Sequence, residues 1–130
     1  EKDYLTKQVH DFRVGDRKAE VMNWMSGALL PDEQAAAIDY FNNKKWPAKQ
    51  ANAAPGPLPN GMAVCQACHQ PNFAGGILVP RLAGQNYEYL LEQMRMFAEG
   101  ERTNNSDMAQ IMRATTPAQR ETMARYLSSL

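Results

Sequence analysis

Five consecutive residues, Cys65-Gln66-Ala67-Cys68-His69, carry the reactive chemistry of this chain. Two thiols three positions apart share one face of a helix. From there they can add to the two vinyl groups of a single porphyrin. His69 follows directly and is placed to offer its imidazole to the iron as proximal ligand. The stretch reads as a covalent attachment site for c-type haem. The competing chemistries fit less well. A thioredoxin-like pair calls for a βαβ context, and no strand pattern surrounds this one. A structural zinc needs four ligands, and beyond Cys65, Cys68 and His69 only the distant His10 is of the right type. A structural disulfide leaves His69 unexplained.

The elements that must position this stretch are helical. Tyr4, Leu5, Val9 and Phe12 recur at helical spacing before Gly15, and Met22, Met25 and Leu29 form a second stripe. Pro31 opens a third helix, with Ala35, Ala37, Ile38 and Phe41 facing inward. From Trp46 to Asn60 the chain turns rich in Pro and Ala and reads as an irregular linker. A helix starting near Asn60 or Gly61 carries the thiols. Asn86 caps the next helix, lined by Tyr87, Leu90, Leu91, Met94 and Phe97 and stopped at Gly100. A polar loop ends at Met108, followed by a short stripe of Ile111 and Met112. Thr116, Pro117 and Gln119 make a capping box for a last helix that buries Met123, Tyr126, Leu127 and Leu130. No segment alternates with period two, so the expected fold class is all-α.

The bulk properties exclude several function classes. In 130 residues, 14 Lys and Arg balance 14 Asp and Glu, and no basic run marks a nucleic-acid surface. No stretch is apolar for long enough to be a transmembrane segment. Glu1-Lys2-Asp3 is not a signal peptide, while haem attachment of this type occurs outside the cytoplasm, so a periplasmic or otherwise exported location is expected. Trp24 and Trp46 read as packing residues and His10 as an exposed one.

The chain also repeats itself. Tyr4-Leu5-Thr6-Lys7-Gln8 matches Tyr89-Leu90-Leu91-Glu92-Gln93, and Phe12, Gly15 and Arg17 match Phe97, Gly100 and Arg102, all at an offset of 85. At an offset of 86, Met22, Pro31 and Tyr40 match Met108, Pro117 and Tyr126. Residues 4–43 thus resemble residues 89–129, without a Cys-x-x-Cys-His of their own.

With the motif, Pro80-Arg81-Leu82-Ala83-Gly84-Gln85, the Tyr89 to Arg102 stretch and Met108, residues 61–130 resemble a class I c-type cytochrome. In particular they are similar to the bacterial diheme family built from two tandem domains. The resemblance implies a cytochrome c-like helical haem domain at 61–130, a linker at 47–60, and a helical half-repeat at 1–46 like the second half of a preceding domain. It implies one covalent haem c, held by Cys65 and Cys68 with His69 and Met108 on the iron. Pro80 would offer its carbonyl to the Nδ1–H of His69, and Arg81, Gln85 and Tyr87 would contact the haem propionates. The implied function is electron transfer between redox proteins outside the cytoplasm, by a carrier rather than an enzyme. The alternatives are a subunit of a dehydrogenase or oxidase complex, or a haem enzyme or sensor should Met108 not ligate. The family has two haem motifs where this chain has one. A fragment, a one-haem protein with a helical cap, and a second chain that completes the N-terminal half-domain all remain open.

Overall fold

The computed structural model describes residues 1–45 and 56–130. Seven helices account for its regular structure: α1 (Lys2–Val14), α2 (Glu20–Ala28), α3 (Pro31–Asn42), α4 (Ala63–His69), α5 (Tyr87–Glu99), α6 (Ser106–Arg113) and α7 (Pro117–Ser129). The fold is all-α, as the periodicity predicts. Among the described residues the sole β pairing is one antiparallel bridge, Gly76 to Val79. Trp46 and most of the expected linker lie outside the described residues.

The last three helices are set by their caps. The Asn86 side chain accepts from the Tyr89 amide at 2.9 Å, and Asn105 accepts from the Met108 amide at 2.9 Å. Thr116 and Gln119 exchange the two bonds of a capping box. Each cap satisfies amides that the first helical turn leaves free. Gly100 ends α5 in the left-handed conformation, φ 79°, where a side chain would be strained. Leu90, Met94 and Phe97 of α5 meet Ala109 and Met112 of α6 and Met123, Ala124 and Leu127 of α7 in one apolar core. Met62 and Phe73, from the segments flanking α4, and Ala83, from the stretch before α5, complete it.

The N-terminal helices pack differently. α1 contacts both α2 and α3, but its buried face is Gln8, Asp11 and Phe12, more polar than the expected stripe. Four inward assignments are corrected. Trp24 is 74% exposed and Phe41 64% exposed, and Met25 and Ala35 are also exposed. The equivalent of Phe41 at offset 86 is Leu127, which is 1% exposed. The difference is physical: α7 has the α4 segment to pack on, and α3 has no such element among the described residues.

The half-repeat meets the rest of the chain through a crossed polar lattice. Arg17 Nη1 donates to Gln8 Oε1 at 2.8 Å, and Arg102 Nη1 donates to Gln93 Oε1 at 2.6 Å. Each guanidinium also reaches across. Arg17 Nη2 donates to Gln93 Oε1 at 2.9 Å, and Arg102 Nη2 to Gln8 Oε1 at 3.0 Å. Arg17 lies over the Phe12 ring at 4.6 Å and Arg102 over Phe97 at 4.4 Å. Exchanging every residue for its equivalent 85 positions along returns the same contacts, so the repeat seen in the sequence is a local two-fold in space.

Candidate haem site

A short helix presents the reactive stretch. α4 carries Cys65 and Cys68 one turn apart and ends at His69, with Gln70 leaving the helix at φ 71°. Both thiols are free, Cys68 exposed and Cys65 half-buried. Burial pushes the Cys65 thiol above its ordinary pKa. That is the reverse of the shift that makes a cysteine a ready thiolate nucleophile. Among the described residues no group of three or more His, Cys, Asp or Glu side chains is gathered for a metal ion.

His69 is buried, and its Nδ1 lies 2.8 Å from the Pro80 carbonyl oxygen. A carbonyl only accepts, so Nδ1 carries the proton and Nε2 keeps a free lone pair. Burial lowers the pKa of this imidazole, opposed by the Pro80 hydrogen bond, so the ring is neutral at neutral pH. The Pro80 carbonyl is held there by a tight turn. The Gly75 amide donates to the His69 carbonyl at 3.1 Å. A Cβ on Gly75 would stand 2.5 Å from the Arg81 nitrogen and 2.7 Å from the Pro80 carbonyl carbon. Only glycine allows that approach, and at φ 84° only glycine is unstrained.

α4, the turn at 75–81, α5, α6, α7 and part of α1 enclose one cleft of about 250 Å³. Its walls are mostly apolar, with Met62, Leu90, Met94, Phe97, Ile111 and Leu127 prominent. Cys65, Cys68, His69 and Pro80 border it, and so do Arg81, Gln85 and Met108. Tyr87 is not on this cleft; its ring lies under the Arg125 guanidinium at 4.9 Å. Met108 sits in the first turn of α6 rather than at the end of the preceding loop, because Asn105 caps the helix and starts it at Ser106.

Two sets of cleft residues escape the sequence reading, Met62 alone and a group from α1. Met62, Met94, Met112 and Met123 also border the cleft, but all four are buried in the core cluster, whereas Met108 is only packed against it. Tyr4, Lys7 and Gln8 of α1 line the cleft as well, so the half-repeat forms part of its wall. The signal for the second set was present: Tyr4 and Gln8 are the repeat equivalents of Tyr89 and Gln93, and both of these also line the cleft. The residues present fit a flat, apolar macrocycle with acidic side chains: two thiols and a neutral imidazole on α4, apolar walls, and Lys7, Arg81 and Arg102 at the margin.

The model of the cytochrome c family matches residues 53–130. The chain belongs to the cytochrome c family. It is 32% identical over 99% of its length to cytochrome c-552 of Acidithiobacillus ferridurans and covers 63% of that protein. It is 30% identical over 98% of its length to the thiosulfate dehydrogenase electron acceptor of Stutzerimonas stutzeri strain A1501 and covers 66% of it. The chain therefore spans less than two thirds of the length of these curated relatives. Among solved structures, cytochrome c4 of Acidithiobacillus ferrooxidans superposes with a TM-score of 0.82 at 31% identity, over 99% of this chain and 84% of that one. Membership of the family implies a covalent c-type haem, and the single Cys-x-x-Cys-His accounts for one.

Proposed function

We propose that this cytochrome c carries electrons between redox proteins outside the cytoplasm, with its haem joined through Cys65 and Cys68 and ligated by His69 and Met108. The observation that carries the reading is the His69 Nδ1 to Pro80 carbonyl bond at the edge of an apolar cleft that Met108 also borders. Bound haem supplies one-electron chemistry, its iron alternating between the ferrous and ferric states. The chain's own groups set the conditions. The Pro80 carbonyl orients the imidazole and raises its donor strength. The Met108 thioether is a soft ligand that favours the ferrous state, and apolar walls disfavour the extra charge of the ferric one. A haem held by both His69 and Met108 would have no position left for a substrate, which supports a carrier rather than an enzyme.

Residues 1–46 act in this reading as a helical half-repeat, 47–60 as a linker and 61–130 as the haem domain. The exposed Trp24, Met25 and Phe41 support a further haem-binding half covering α2 and α3. The name of the Stutzerimonas relative supports a dehydrogenase as electron donor. No helix of the described residues is long and apolar enough to cross a membrane, which fits an exported carrier.

Met108→Ala tests the ligand set. The reduced and oxidised visible spectra of the variant will show a five-coordinate or water-ligated iron and a lower midpoint potential. A variant with the wild-type spectrum removes Met108 from the site and returns the choice to the other cleft methionines.

A further inference from the structure

Arg17 and Arg102 are 7% and 6% exposed, and they share the acceptors Gln8 and Gln93. Two buried guanidiniums thus meet over neutral amides. Tyr89 and Tyr4 hydroxyls accept from them at 2.9 and 3.5 Å, and Asn104 Oδ1 accepts from Arg102 Nε at 2.9 Å. Among the described residues neither arginine forms an ion pair with a carboxylate. A buried cation without a counter-charge is costly, and two side by side are more so. Burial, and then the charge of Arg17, lower the pKa of Arg102. Asp11 is joined to the lattice one step removed: its carboxylate accepts from Asn104 Nδ2 at 2.6 Å and pairs with Lys7.

Arg102, Gln8, Gln93, Tyr4 and Tyr89 all line the haem cleft, while Arg17 stands behind them. Haem carries two carboxylates, the charge this lattice lacks. We infer that the crossed Arg17–Arg102 pair is the counter-charge for the haem carboxylates, so that α1 and the Arg17 turn of the half-repeat set the potential of a haem carried by the other half of the chain. The inference rests on the haem reading above. Arg102 is the contacting residue: with Nε on Asn104, Nη2 on Gln8 and Tyr4, and one Nη1–H on Gln93, its second Nη1–H is left for a carboxylate oxygen. Arg17 is a positioning residue: it holds Gln8 and Gln93 and adds its charge from one layer back. Arg81, also on the cleft, donates through Nε to the Ala83 carbonyl at 2.9 Å and belongs to the turn that serves His69.

The test uses the full haem-loaded chain with four variants, R17Q, R102Q, R17K and R102K. Each is first checked for one covalent haem by denaturing mass. Removing either positive charge should lower the midpoint potential, because the ferric state loses a repelling neighbour. The lysine variants should recover most of that loss. Glutamine variants that keep the wild-type potential overturn the inference, as do lysine variants that fall as far as the glutamine ones, since geometry and not charge would then be at work. If the glutamine variants fail to load haem, infrared spectra of haem with 13C-labelled carboxylates decide it. The carboxylate stretches should be those of ionised groups in the wild type and should move in R102K. Unmoved stretches, or protonated acid in the wild type, overturn it. A wild-type chain without covalent haem would instead remove the haem reading itself.

Discussion

At the scale of single residues, the site depends on an atom that is not a side chain. The Pro80 carbonyl fixes the tautomer of His69, and Gly75 makes room for it. Gly75→Ala should therefore destabilise the protein by more than about 1 kcal/mol, and should also weaken the donor strength of His69. Thermal melting will show the first effect and a lowered iron–imidazole stretching frequency in the ferrous variant the second. Cys65, Cys68, His69 and Pro80 were all legible from the motif and the resemblance. Gly75 was not, because its need for a positive φ and a 2.5 Å approach exists only once the turn has closed. Tyr87 failed to reach the cleft for a helical reason. It opens α5 on a face turned toward Arg125, two residues from Tyr89, which does line the cleft.

At the scale of elements, α6 holds Met108 in its first turn and hangs on the Asn105 cap at one end. The other end is held by Arg120, whose Nη1 donates to the Thr115 carbonyl at 2.7 Å. Asn105→Ala should cost about 1 kcal/mol of stability and loosen Met108, read as partial loss of the methionine-ligated spectrum at high temperature. Leu127→Ala, in the core beneath the cleft, should cost about 2–5 kcal/mol by denaturant unfolding. Helices α5 and α7 could be placed within a residue from Asn86, Gly100, Thr116 and Pro117, since caps are local chemistry. The inward faces of α2 and α3 could not. Trp24 and Phe41 are apolar at the right spacing, yet periodicity states only that a face wants a partner, not that one is there. The arginine that steadies α6 from α7 was equally hidden, because its role depends on packing between two helices.

At the scale of the whole molecule, the repeat becomes an interface whose two sides exchange the same bonds. The matched Gln8, Gln93, Arg17 and Arg102 were visible as a pattern, but that they interlock, and at the edge of the cleft, required the third dimension. Asp11 ties the same seam from the side. Burial alone would raise its carboxyl; hydrogen bonds from Lys7 and Asn104 outweigh this and hold it below the ordinary carboxylate value. A lowered folded pKa adds stability that is complete above the unfolded value and is lost as pH falls through the folded one. Thermal melts from neutral to acidic pH should accordingly show a steeper loss of stability for the wild type than for Asp11→Asn, with the variant less stable at neutral pH. The central claim, one haem bonded to Cys65 and Cys68, is tested most directly by the intact mass under denaturing conditions of protein made where c-type haem is assembled. The account predicts the chain plus one haem. The mass of the bare chain would contradict it.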